Sequence, residues 1–226
     1  MIQSRFFQTL RSPHPRLQTF LTGLVFLVGL LLLATPALAH HGMDNQTPSN
    51  FLEGFISGLA HPIIGLDHFA FVIAVGLLAA TKPKGRAIPI AFVLAALAGT
   101  GLHLSAITLP LPELWIALSV FAIGLYLALG TQLPTTALAG LAGLAGLFHG
   151  YAYGEAIMGA EPTPLIAYLI GFTTIQMGIA LGAFWLSQRG LAQRHTITDA
   201  AKQSLRKAGW AIGGMGLVFL YAHVLG

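Results

Sequence analysis

Cysteine is absent from the 226 residues, which excludes disulfide frameworks, thiolate metal sites and iron–sulfur clusters together. Charge is scarce as well. Asp, Glu, Lys and Arg make up 8% of the chain, about a third of what soluble domains carry. With 55% of residues hydrophobic, a water-soluble globule is excluded and a polytopic membrane protein is expected. Among groups able to hold a metal, histidine dominates: nine, against seven carboxylates and five methionines.

The amino terminus is basic and then apolar. Arg5, Arg11 and Arg16 precede an apolar run from Phe20 to Ala34, which is followed by Thr35-Pro36-Ala37-Leu38-Ala39. A basic leader, a short apolar stretch and an Ala-x-Ala site stand in the order of a secretory signal peptide. The run is shorter than the roughly 20 residues of a span, although an uncleaved first helix is the competing reading. The expected division is a signal peptide over 1–39, an extracytoplasmic segment over 40–53 that opens with His40 and His41, and a membrane domain over 54–226.

That domain reads as six apolar segments, at 54–80, 87–109, 112–130, 135–158, 163–187 and 208–225. Prolines mark the turns, at Lys82-Pro83, Pro110-Leu111-Pro112, Pro134 and Glu161-Pro162-Thr163-Pro164. The runs are too long for strands, so an all-α fold with six transmembrane helices is expected. Lys82, Lys84 and Arg86 fall in the first connection, and Arg189, Arg194, Lys202, Arg206 and Lys207 in the fifth. With the mature amino terminus outside, both connections face the cytoplasm, as the positive-inside rule requires. The basic excess is then a topology signal rather than a nucleic-acid surface. Within the first segment Pro62 is expected to break the helix, leaving 51–60 as an interfacial piece with His61 near the outer face.

Polar side chains inside spans are expensive, roughly 2.5 to 3.5 kcal/mol for a charge at the bilayer centre. The segments nevertheless carry His61, Asp67, His68, His103, His149, Glu155 and His223. A single helical histidine is more often a hydrogen-bonded packing residue than a ligand, and that reading covers His103 or His223 taken separately. It does not cover Asp67-His68, where an acid and an imidazole stand side by side. Counted at about 1.5 Å per residue from the cytoplasmic boundary, four of the helices deliver imidazoles to the outer half of the membrane. His61 and His68 share a face if the helix is regular. Imidazole and carboxylate without sulfur suit Ni²⁺, Co²⁺ or Zn²⁺, while affinity order alone favours copper, so ligand type does not name the metal.

Gly140, Gly143, Gly146 and Gly150 recur at three- and four-residue spacing beside His149. Close helix packing through small residues accounts for them; unwinding at Gly150 and Gly154 to expose carbonyls is the sharper alternative. Tyr151 and Tyr153 read as interface anchors or as partners of the histidines. His61-x-x-x-Gly65-x-Asp67-His68 and His149-x-x-x-x-Gly154-Glu155 each open a three-helix half, a weak sign of two inverted repeats.

The stretch GLAHPIIGLDHF from Gly58 to Phe69 resembles the H-P-x-x-G-x-D-H signature of the HupE/UreJ family, and GLFHGYAYGE from Gly146 to Glu155 resembles its second conserved stretch. The resemblance covers essentially the whole chain. It implies a six-helix permease for nickel, or nickel and cobalt, serving hydrogenase or urease maturation. It carries functional roles onto His61, Asp67, His68, His149 and Glu155. Some members have a further histidine in the fifth helix, where this chain shows Thr173, Thr174 and Gln176. No phosphate-binding loop is present, so ATP hydrolysis by this chain is not expected, nor is an enzyme or a resident cofactor. Three rivals stay open: an intramembrane bis-His haem protein, an intramembrane metallohydrolase with Glu155 as base, and a membrane metal-binding accessory protein that does not transport.

Overall fold

The computed structural model describes residues 47–192 and 199–225. The expected signal peptide, His40 and His41 lie outside the described residues. Seven helices follow one another: α1 (Phe51–Ile64), α2 (Leu66–Ala80), α3 (Ala87–Leu104), α4 (Pro112–Leu129), α5 (Thr135–Glu155), α6 (Pro162–Ala192) and α7 (Asp199–Leu225). No strand occurs among the described residues. The described fold is all-helical.

Local chemistry explains the helix ends. The Asn50 side chain accepts the Glu53 N–H at 3.0 Å, while the Glu53 carboxylate takes the Ser49 N–H and hydroxyl at 2.8 Å each. This reciprocal capping starts α1. Pro112 opens α4, where no intrahelical donor is missed. Gly130 ends it at φ 67°, its N–H reaching the Tyr126 carbonyl.

Among the described residues four helices, α3, α4, α6 and α7, are long and apolar enough to cross a membrane, and a fifth span is made if α1 and α2 count as one. α5 is long enough at 21 residues but is not among them; Gly140, Gly143, Gly146, Gly150 and Gly154 lower its apolar character. The expected first segment is broken, and the break differs from expectation. Pro62 lies inside α1, and the chain turns instead at Gly65, with a bend of 80°. Pro62 forfeits the bond that an N–H there would make to the Gly58 carbonyl, yet the helix continues to Ile64, whereas Gly65, at ψ 100°, leaves the helix and starts α2. A regular helix through His61 and His68 is therefore not what the structure contains.

The fifth connection is also shorter than expected. α6 runs to Ala192 and α7 begins at Asp199, so Arg189, Lys202, Arg206 and Lys207 stand on helices. The Ala-, Lys- and Gln-rich stretch before Gly209 favours helix regardless of its polarity.

The main pairings are α3 with α5, α4 with α7, and α1 and α2 with α6. Taking α1–α4 as one half and α5–α7 as the other, every one of these joins the halves. Exchanging the halves turns the α3–α5 pair into the α6–α1/α2 pair and leaves α4–α7 unchanged. Each interface is built on glycine: Gly150 against the Ala96 backbone, Gly58 against Tyr168, Gly124 against Gly213. Small residues let membrane helices approach to backbone contact.

The first and third connections and the first turns of α7 meet at one end of the bundle. Lys82 Nζ donates to Gln132 Oε1 at 3.1 Å, the Thr135 hydroxyl donates to the Pro83 carbonyl at 2.9 Å, and Arg206 Nε donates to the Ala128 carbonyl at 2.9 Å. The basic residues of the described chain are thus gathered at that end. Away from it, Tyr153, Tyr168 and Phe172 form a buried cluster with Ala96, Ala156 and Ile157, and the histidines lie beside this cluster.

Candidate metal-handling site

The turn at Gly65 places His61 in the last turn of α1 and His68 in the first turn of α2. Although the two helices diverge, the rings stay neighbours, with centroids 6.1 Å apart. Asp67 is half-buried, and its Oδ1 accepts the His68 backbone N–H at 2.8 Å. That bond satisfies one of the free donors at the start of α2.

A row of rings continues from His68 into the bundle. His68 is 6% exposed, and its Nδ1 lies 2.8 Å from Nδ1 of His149 on α5. His149 has no exposure, and its Nε2 lies 2.9 Å from the Ser119 hydroxyl on α4. Phe71 and Phe92 enclose the His149 ring, at 4.5 and 5.7 Å between centroids. Both nitrogens of His149 are therefore engaged by protein groups.

Tyr153, one turn beyond His149, packs on both outer imidazoles, 5.1 Å from His61 and 4.5 Å from His68. Its hydroxyl is buried and has no hydrogen-bond partner among the described residues. The Tyr168 hydroxyl on α6 donates to the Tyr153 carbonyl at 2.8 Å and lies 3.2 Å from His61 Nδ1. Five helices thus contribute: α1 and α2 the outer imidazoles, α5 the inner imidazole and a tyrosine, α4 and α6 a hydroxyl each.

The remaining expected residues stand elsewhere. Glu155 is exposed at the end of α5. His103 packs on Tyr151, with centroids 4.4 Å apart, and lies against Gly154 rather than in the row. His223 is exposed in the last turn of α7. Among the described residues no three His, Asp or Glu side chains converge tightly enough to hold one ion. The arrangement is a row, not a cage.

Of the two readings of the α5 glycines, packing is the one observed. The helix continues through Gly150 and Gly154 to Glu155, and the Gly150 carbonyl accepts the Thr100 hydroxyl at 2.7 Å. Tyr153 is a partner of the histidines rather than an interface anchor, since it is wholly buried.

Two residues escaped the sequence reading, Ser119 and Tyr168. Ser119 carried a faint signal, as a lone hydroxyl in the apolar run from Leu118 to Gly124. Tyr168 carried none, because a tyrosine in a span is as readily a packing residue. The fifth segment supplies this phenol where an imidazole was looked for; Gln176 there is buried and bonds the Phe172 carbonyl at 3.2 Å.

Comparison with known proteins now bears on this geometry. The family described as HupE / UreJ protein matches residues 28–219. Protein HupE of Rhizobium leguminosarum bv. viciae is 34% identical over 167 residues, covering 71% of this chain and 84% of that protein. No solved structure matches the chain. With both of its motifs meeting at one buried row of imidazoles, and the family's match running across nearly all of the described helices, the chain belongs to the HupE/UreJ family.

Proposed function

We propose that this chain is a membrane permease for nickel, or nickel and cobalt, that serves hydrogenase or urease maturation. The observation that carries the reading is the direct contact between the two family motifs, His68 of one against His149 of the other, inside an apolar helical bundle. Imidazoles in such a place cost free energy, and that cost points to a functional path. Their ligand type fits a borderline divalent cation, which is the cargo and not a resident group. Membership of a family named for HupE and UreJ supports the link to the two nickel enzymes.

The orientation follows from the basic end of the bundle. We place it in the cytoplasm, under the positive-inside rule, in the inner membrane, with the amino terminus outside after removal of residues 1–39. Six spans, α1 and α2 forming one broken span and α5 another, then run as two halves of opposite orientation. The exchange symmetry of the helix pairings supports this, as does the placing of a discontinuous helix at the site. His40 and His41 would stand at the outer mouth as a capture pair.

The rivals fit the geometry less well. His68 and His149 bond directly, with aromatic rings around them, so no planar macrocycle fits between that pair. A catalytic zinc uses three protein ligands, and Glu155 is exposed rather than joined to the histidines.

The test is uptake of radiolabelled nickel by purified protein in proteoliposomes, with cobalt, zinc and magnesium as competitors. Saturable nickel uptake is expected, competed by cobalt and not by magnesium, and lost in the double substitution His61→Asn with His68→Asn. Uptake equal to that of empty vesicles, or untouched by the double substitution, overturns the reading.

A further inference from the structure

Two hydroxyl groups in the site are each tied to a backbone carbonyl. A carbonyl only accepts, so each tie fixes where the hydroxyl proton goes. Ser119 donates to the Ile116 carbonyl at 2.7 Å, the usual back-bond of a helical serine. Its oxygen must then accept from its other neighbour, His149 Nε2, at 2.9 Å. A neutral imidazole carries one proton, so His149 with Nε2–H offers a bare Nδ1. The atom facing that lone pair at 2.8 Å is Nδ1 of His68, which must be the donor. His68 therefore carries its proton on Nδ1, and its Nε2 is the lone-pair nitrogen, with no hydrogen bond among the described residues.

The same logic runs from Tyr168. Its hydroxyl donates to the Tyr153 carbonyl at 2.8 Å, so its oxygen accepts from His61 Nδ1 at 3.2 Å. His61 therefore carries a proton on Nδ1 as well. Two hydroxyls on different helices thus place a proton on Nδ1 of two imidazoles whose rings are neighbours.

We infer that Ser119 and Tyr168 are positioning residues that hold a proton on Nδ1 of His68 and of His61, so that Nε2 of His68 is the nitrogen offered to the cation, while His149 relays Ser119's constraint and is not itself a ligand. This rests on the permease reading for the identity of the cation, but the tautomers themselves do not. Metal-binding imidazoles commonly donate their second N–H to a fixed partner, and loss of that partner costs about 10- to 100-fold in affinity. Here His149 is the partner of His68, and a phenol is the partner of His61.

The experiment is nitrogen NMR on full-length protein in lipid bilayers, with ¹⁵N-labelled histidine rings and no metal. Single substitutions His61→Asn, His68→Asn and His149→Asn assign the signals. The expected pattern is Nδ1–H at His61 and His68 and Nε2–H at His149. Ser119→Ala should release the preference at His149 and His68 but not at His61, and Tyr168→Phe should do the converse. Ser119→Thr, which keeps the hydroxyl, should restore the first pair. In uptake, Ser119→Ala should raise half-saturating nickel about 10-fold or more, and Ser119→Thr should recover it. A proton on Nε2 of His68 in the unsubstituted protein overturns the inference, and this reading needs no variant to fold. So do tautomers at His68 and His149 that ignore the loss of the Ser119 hydroxyl. Absence of nickel uptake with the expected tautomers would instead remove the permease reading and leave the proton arrangement standing.

Discussion

Asp67 precedes His68, and its Oδ1 accepts the His68 backbone N–H where α2 begins after the 80° turn. An asparagine offers the same acceptor without the charge. Asp67→Asn is therefore expected to leave the protein inserted and its unfolding temperature within a few degrees, while nickel uptake falls to background. Asp67→Ala should in addition lose about 1 kcal/mol of stability, the net worth of one hydrogen bond, because the His68 N–H loses its acceptor. Thermal unfolding in detergent alongside vesicle uptake separates the two effects, and normal uptake in Asp67→Asn would remove Asp67 from the route. His103 provides the contrast. It packs on Tyr151 outside the row of imidazoles, so His103→Ala should reduce uptake far less than His68→Ala does.

Between helices, the glycines on α5 divide by what they face. A Cβ at Gly150 would run into the Ala96 backbone, whereas one at Gly140 meets nothing within 4 Å. Gly150→Ala is expected to force α3 and α5 apart at a cost of about 1–3 kcal/mol. Gly140→Ala should be neutral or stabilising by up to about 1 kcal/mol, the difference in helix propensity. Unfolding midpoints of the two variants, measured side by side, check this; equal loss in both would mean that the glycine interface does not hold the helices together. The contrast also marks what could be read from residues alone. Long apolar runs and prolines between them locate α3 to α5, because length and punctuation are properties of the chain itself. The turn at Gly65 could not be read that way, since Pro62 carries the stronger intrinsic signal and only packing of the α1 glycines on α6 decides which residue yields. At the site, the imidazoles and Asp67 were legible through their expense in an apolar segment. Ser119 and Tyr168 were not, because a hydroxyl costs little in a helix that can satisfy it locally, and their importance arises only from neighbours on other helices.

For the molecule as a whole, the gathering of the first and third connections and the start of α7 at one end makes orientation measurable. Lys84 and Glu161 are both exposed and lie in connections expected on opposite faces. With no native cysteine to remove, Lys84→Cys and Glu161→Cys each carry a single thiol. A membrane-impermeant maleimide added to intact spheroplasts should label Glu161→Cys, and should label Lys84→Cys only after the membrane is broken. Labelling in the reverse pattern would invert the assigned orientation. On the permease reading, the same lack of cysteine bears on how long a cation would stay. A thiolate grips a soft or borderline cation firmly, whereas conduction needs ligands that release it as readily as they take it. A row of imidazoles in which no three acidic or imidazole side chains close on one ion favours short dwell over tight retention. Because no thiol occurs anywhere in these 226 residues, disulfide formation can remove no ligand of the proposed route, and uptake through it is expected to be indifferent to whether the medium at either mouth is oxidising or reducing.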